Sequence, residues 1–238
     1  MKYYTIHTSL DINVMGHIPQ MKEALHNCDV WNDSNFIDRF NIEKININPI
    51  LSIPVLNHQS KKTDLIETGG IGFGVGRIFI SEKLKNLITD SNHFGIQFFK
   101  TSLYQNDKLY NGYWQTHIYD MPLDIINFKE TVIELSDRDQ NRRVIKKELK
   151  IFSKEEFLQI LKFIHYPKMI RFKKIIFNHD LNLDFFFLSH FEPFNIVSEK
   201  LKDKLEYNKC TGMEFKPIDL SLSEWLAPGG LREKIYGH

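Results

Sequence analysis

Read for hydrophobic and polar positions, the chain is mostly short strands. Tyr3–Thr8 reads as one, and so do "RIFI" (77–80), the run "NGYWQTHIYDMPLDIINF" (111–128), "TVIEL" (131–135), "VIKKELKIF" (144–152), "MIRFKKIIF" (169–177) and "LDFFFL" (183–188). Phe185-Phe186-Phe187 is continuously apolar, as a strand covered on both faces would be. "INPILSIPVL" (47–56) is predicted extended, because each proline disfavours helix at the residue before it. "SDRDQNRR" (136–143) reads as the turn between two strands, and "NHDLN" (178–182) as a polar loop.

Helical patterns are fewer. "SKEEFLQILKFI" has a capping box in Ser153 and Glu156 and an apolar stripe of Phe157, Leu161 and Ile164. "SLSEWLAPGG" repeats the box with Ser221 and Glu224, and Pro228-Gly229-Gly230 ends the helix. A short helix is also predicted behind Pro19, near Met21, Ala24 and Leu25.

Residues 80–103 and 197–220 share a spelling. At a constant offset of 117, without a gap, eight of the 23 positions from Ser81/Ser198 to Leu103/Leu220 are identical, where composition alone supplies roughly one or two. The identities include Ser81/Ser198, Glu82/Glu199, Leu84/Leu201, Gly95/Gly212 and Phe98/Phe215. The physical reading is one strand–helix–strand unit used twice. Ser caps the helix, Glu complements its positive end, Leu84 and Ile88 (or Leu201 and Leu205) face the core, and Gly turns the backbone into the next strand. The predicted fold is α+β, with mixed and antiparallel sheets, short helices and two related halves built on this unit. The expected division is an N-terminal extended and helical segment (1–64) packed on a main body (65–220), then a tail (221–238).

The motifs "SEKLK…GIQFF", "GYWQTHIYD" and "VSEKLKDKL…CTGMEF" resemble a bacterial domain now grouped with the immunity proteins of polymorphic toxin systems, the eleventh immunity family. The resemblance runs over roughly residues 65–220. It implies a cytoplasmic protein that binds a cognate secreted toxin domain and blocks it. It implies no catalytic residue, and it assigns no partner-binding position.

Composition changes this picture little. The 238 residues are 42% hydrophobic, enough for a packed core, and the net charge of +1 argues against a general nucleic-acid or membrane-surface binder. That balance conceals an asymmetry: residues 137–174 hold 12 Lys/Arg and 5 Asp/Glu, a net of +7, leaving −6 elsewhere. The first residues, "MKYYTIHTSLDINVMGH", do not read as a signal peptide, and the longest charge-free run, Ile45 to Ser60, is broken by Pro49 and Pro54. No membrane span is expected.

Candidate chemistry is thin. "GGIGFGVG" (69–76) has glycines at every second position, which matches neither a dinucleotide fingerprint nor a phosphate loop, so a tight or bulged strand is expected instead. The ten histidines lack paired metal spacing. His117 shares a strand face with Tyr119 but not with Asp120, and His179-Asp180 sits in a loop. Cys28 and Cys210 are expected to be small packed residues rather than nucleophiles. No catalytic residue, metal ligand or cofactor site is expected, and the chain is read as no enzyme. An unrecognised active site would need His117, Asp120 and a Cys or Glu converging in one cleft. A third class is nucleic-acid binding by the basic 142–174 segment, through Arg142, Arg143, Lys146 and Lys147 with Trp114 or Tyr166 beside them, but a solvated sheet face bordered by Glu148, Glu155 and Glu156 is the expectation for it. The same patch also suits an acidic region of a protein partner, while the −6 remainder suits a basic toxin. Trp31, Trp114 and Trp225 are interface anchors by residue type, although a core position is the expectation for each.

Overall fold

Tyr3–Thr8 forms strand β1, and a one-turn helix α1 (Ile12–Met15) follows, opened by Asp11, whose carboxylate accepts the Asn13 N–H at 2.7 Å. The computed structural model describes residues 1–68, 76–189 and 195–237. Residues 21–25 correct the sequence reading. They form strand β2 (Met21–Leu25), paired antiparallel with β3 (Ile53–Leu56), and not a helix. Met, Lys, Glu, Ala and Leu favour helix, but a helix this short has no independent stability, and pairing decides the matter. The entry to β2 is fixed by the buried Gln20 amide, which donates to Lys61 O at 2.8 Å and Thr63 Oγ1 at 3.1 Å and accepts the Glu67 N–H at 2.8 Å.

After β4 (Leu65–Ile66) and β5 (Phe79–Ser81) come helix α2 (Glu82–Thr89) and the long hairpin of β6 (Ile96–Gln105) and β7 (Lys108–Ile118). Asn106 and Asp107, both at positive φ, make its two-residue turn, as residue types tolerant of that region should. Next are β8 (Val132–Arg138), β9 (Val144–Leu149), helix α3 (Lys154–Leu161) and β10 (Met169–Lys174). The chain closes with β11 (Phe185–Phe187), β12 (Asn195–Ser198), α4 (Glu199–Tyr207), β13 (Met213–Pro217), α5 (Leu222–Trp225) and α6 (Leu231–Tyr236).

Among the described residues these strands make three sheets, in a mixed α+β fold. The six-stranded sheet runs β2-β3-β6-β7-β5-β4, with β3 and β6 parallel and its other pairs antiparallel. The four-stranded sheet runs β11-β12-β1-β13 and is antiparallel throughout, so the N-terminal strand lies inside it between two C-terminal strands. The three-stranded sheet, β10-β8-β9, is also antiparallel.

The two SEKLK segments can be compared atom by atom. Ser81 Oγ accepts the Leu84 N–H at 3.1 Å and donates to Asp64 at 2.6 Å; Ser198 Oγ accepts the Leu201 N–H at 3.1 Å and donates to Asp184 at 2.6 Å. Each carboxylate also reaches the loop after the other helix: Asp64 accepts the Thr211 N–H at 2.9 Å, and Asp184 accepts the Asn92 N–H at 3.2 Å. Gly95 and Gly212 are both at positive φ. The surroundings differ: α2 leads into a hairpin of the larger sheet, whereas the strand beside β13 comes from the N-terminus.

Leu84, Ile88, Leu201 and Leu205 are buried together with Ile80, Val197, Phe185 and Phe215 in one core. A second core lies under α3, where Phe157 stacks on Phe172 with ring centroids 5.1 Å apart and Phe186, Ile133 and Ile196 close around them. Each such side chain, taken from water, contributes about 1.5–3 kcal/mol. At α3 the box is half formed: Ser153 accepts from the Glu156 N–H, but the Glu156 carboxylate takes the N–H of Phe152. At α5 it closes fully between Ser221 and Glu224.

Candidate partner-binding surface

His117, the histidine singled out in the sequence, is committed to structural bonds. His117 is buried; its Nε2–H donates to Glu43 O at 2.7 Å, leaving Nδ1 to accept from Arg77 Nη2 at 3.3 Å. Burial, with the Arg77 charge adding to it, lowers its pKa and keeps the ring neutral. Arg77 in turn pairs with Asp38 and donates to Ile37 O at 2.7 Å and Phe40 O at 2.9 Å. The Arg77–His117 pair therefore pins residues 36–43 onto the large sheet. Asp120 does not join it: its carboxylate is exposed and accepts the Met121 N–H at 2.8 Å. His179 and Asp180 are exposed in their loop.

Both cysteines are partly buried. Burial, then Asp64, pushes the Cys210 thiol up to about 11, and burial with Asp33 and Asp29 raises that of Cys28. A thiol so raised is protonated at neutral pH and weak as a nucleophile. Among the described residues no three His, Cys, Asp or Glu side chains lie together as a metal site would need. No helix among them is long and apolar enough to cross a membrane. Residues 69–75 of the glycine-rich stretch lie outside the described residues; Gly76, at φ +78°, is the one described.

The three-stranded sheet carries the basic segment, and much of that charge is answered locally. Glu134, 6% exposed on β8, accepts from Arg171 Nη2 at 2.8 Å and lies 3.4 Å from Lys146 Nζ. Burial raises its carboxyl pKa, but Arg171 and Lys146 outweigh that and hold it low. Lys173 pairs with Glu148 at 2.7 Å and Lys168 with Asp137 at 3.8 Å. Arg138, Arg142, Arg143, Lys147 and Lys150 make no ion pair among the described residues. Trp114 stands on β7 in the other sheet, its ring 5.0 Å from Lys85 Nζ, so it does not flank this charge as a stacking platform would.

Between β10 and residues 216–223 runs a cleft of about 1090 Å³ with apolar walls including Leu161, Ile170, Phe172 and Ile218. Lys216 lines it but is almost fully buried, with Nζ directed at the carbonyls of Pro217 and Leu220.

The tryptophans divide. Trp225 is 1% exposed and Trp114 half-buried, whereas Trp31, expected in a core, is 79% exposed. Asp29 explains the difference. Its carboxylate accepts the N–H groups of Trp31 at 2.9 Å and Asn32 at 3.2 Å, closing a tight surface turn that directs the indole outward.

Compared with known proteins, the chain matches the model of a family described as Immunity protein family (Imm11) over residues 2–220. The match takes in the first sixty residues, where the sequence resemblance is less distinct. No curated protein matches the chain.

Proposed function

The chain belongs to the Imm11 immunity protein family, and from that membership we propose that it binds a cognate toxin domain and neutralises it by stoichiometric, non-covalent occlusion in the cytoplasm of the cell that makes it. The match over residues 2–220 carries the reading. It is supported by the side chains themselves: His117, Cys210 and Asp120 are spent on packing, a partly buried thiol and a local cap, leaving no converging acid, base and nucleophile among the described residues.

Neutralisation sets a demanding affinity. With free partner at 100 times Kd, about one per cent of the toxin remains unbound and active. Protection therefore needs nanomolar binding or better, with about 800 Å² buried on each partner in an interface of standard size. Specificity arises from charge complementarity and from penalties against non-cognate toxins.

The test is co-expression of the toxin domain encoded beside this chain, with and without it, followed by purification of the pair. Rescue of growth together with a one-to-one complex is the expected result. Death of the cells despite this chain, with no complex at micromolar concentration, removes the reading.

A further inference from the structure

Strand β9 is covered on one side only. It pairs with β8, lies at the outer edge of the sheet order β10-β8-β9, and is exposed at every residue from Val144 to Glu148. Val144 and Ile145, on opposite faces because side chains alternate along a strand, are 59% and 52% exposed. An edge strand with two apolar residues in water is a template for further pairing.

The register shows which backbone groups are open. Asp139 N–H donates to Arg143 O at 3.0 Å, and the pairs Asp137/Ile145 and Leu135/Lys147 continue the ladder at every second residue. The N–H and C=O groups of Val144, Lys146 and Glu148 therefore point away from β8. Cations crowd the same strand and the residues flanking it: Arg142, Arg143, Lys147 and Lys150 have no ion-pair partner among the described residues, and Lys146 shares Glu134 with Arg171.

We propose that β9 is the edge on which the toxin docks, by adding an extended acidic segment to it as a further strand. This rests on the immunity reading above and names the surface and the chemistry of the partner. Backbone hydrogen bonds to Val144, Lys146 and Glu148 supply the register. Carboxylates of the incoming strand meet Arg143 and Lys147, and its apolar residues cover Val144 and Ile145. A second copy of this chain is a poor occupant, because outward-facing residues must pair with one another, and two antiparallel β9 strands centred on Lys146 place Lys146 against Lys146 and Ile145 against Lys147. Nucleic acid is a poor occupant for another reason. Phosphates only accept hydrogen bonds and leave the outward carbonyls of β9 unmatched, and β9 itself carries no aromatic side chain for bases to stack on. The −6 charge of the remainder is spread over some 200 residues, whereas the β9 cations sit on one strand and its turn.

The experiment uses the full chain and the toxin domain encoded beside it. Hydrogen exchange is followed at the amides of Val144, Lys146 and Glu148, and affinity is measured for the wild type, the Arg143→Glu/Lys147→Glu double variant and a Lys22→Glu control on exposed β2. The expected result is at least about tenfold slower exchange at those three amides in the complex. The double variant should bind at least about a hundredfold more weakly, and Lys22→Glu within about twofold of wild type. Reversing exposed charges leaves the hairpin fold intact, so an unfolded variant does not confuse the answer. Toxin bound equally by the double variant, with β9 amides exchanging as before, overturns this inference and leaves the immunity reading standing. A wild-type chain that binds no toxin at micromolar concentration overturns both. Slowing of the same amides by a mixed-sequence single-stranded RNA, and not by the toxin, assigns β9 to nucleic acid and overturns the inference.

Discussion

Arg232 and Glu214 meet inside the protein: Arg232 Nε donates to Glu214 Oε2 and Nη2 to Oε1, each at 2.8 Å, with both side chains buried. The same Glu214 carboxylate accepts the Ser9 hydroxyl at 3.2 Å and the Leu10 N–H at 2.8 Å. One carboxylate thus joins β13, the end of β1 and the C-terminal helix α6, which lies beyond the family match. Removing one partner of a buried pair leaves an unpaired charge in a poorly solvating site, which costs about 3–5 kcal/mol. Arg232→Ala should therefore lower the urea midpoint severely, while Arg232→Met with Glu214→Gln should recover part of the loss. Equal midpoints for wild type and Arg232→Ala would show that α6 is not a structural part of the fold.

Gly212 and Gly95 set a second expectation. At Gly212, φ is +88° and an added Cβ would lie 2.3 Å from Leu65 O; at Gly95, φ is +69° and the Cβ would lie 2.0 Å from Asp120 O. Left-handed backbone alone costs a substituted residue about 1–3 kcal/mol, and here fixed backbone also stands in the way. Alanine at either position should cost about 3 kcal/mol or more. Gly229→Ala is the control: φ is +70°, but nothing lies within 4 Å, so only the backbone term of about 1 kcal/mol remains. Thermal unfolding of the three variants checks the order.

How legible these features are depends on how far apart the participants stand in the chain. The serine caps, the helix faces of Leu84 and Leu201 and the turning glycines are short-range, and each is readable from a few adjacent letters. Asp64 and Asp184, which complete the caps, lie 17 and 14 residues from their serines, and no spacing rule marks them. Arg77 and His117 are 40 residues apart, and their partnership arises because β5, which begins two residues after Arg77, pairs with β7, which carries His117. β2 is spelled with helix formers, so its identity depends on β3 alone. The exposure of β9 is half legible: one solvated face is expected of "VIKKEL", but its letters do not say that both faces meet water.

His7 gives the protein a pH dependence of definite sign. Burial, with Lys216 adding to it, lowers its pKa from 6.5 to about 4, so the folded ring is neutral where an unfolded one takes a proton. Stability is therefore full above pH 6.5 and falls as the pH drops toward 4, because only the unfolded state gains the proton. The full contribution is up to about 3 kcal/mol. His117, lowered in the same direction, adds to the slope. Urea unfolding at pH 7.5, 5.5 and 4.5 should show this decline, and His7→Gln should flatten it. A variant as steep as wild type would place the slope on other groups.

Trp225 and Trp31 have the same side chain and opposite environments, so truncating each separates packing from surface. Trp225 is 1% exposed, with its ring 6.0 Å from that of Tyr236, and the Tyr236 hydroxyl accepts the Phe215 N–H at 2.9 Å. Trp225→Ala opens a cavity at the point where the tail meets β13, and should cost about 3–5 kcal/mol. Trp31, 79% exposed in a turn closed by backbone bonds to Asp29, loses almost no packing when cut back. Trp31→Ala should stay within about 0.5 kcal/mol of wild type. Since β9 is the proposed docking edge, toxin affinity should also be unchanged in Trp31→Ala. A tenfold loss of affinity with unchanged stability would move the interface from β9 to the turn at residues 29–33, because an exposed indole that matters only in the complex is an anchor.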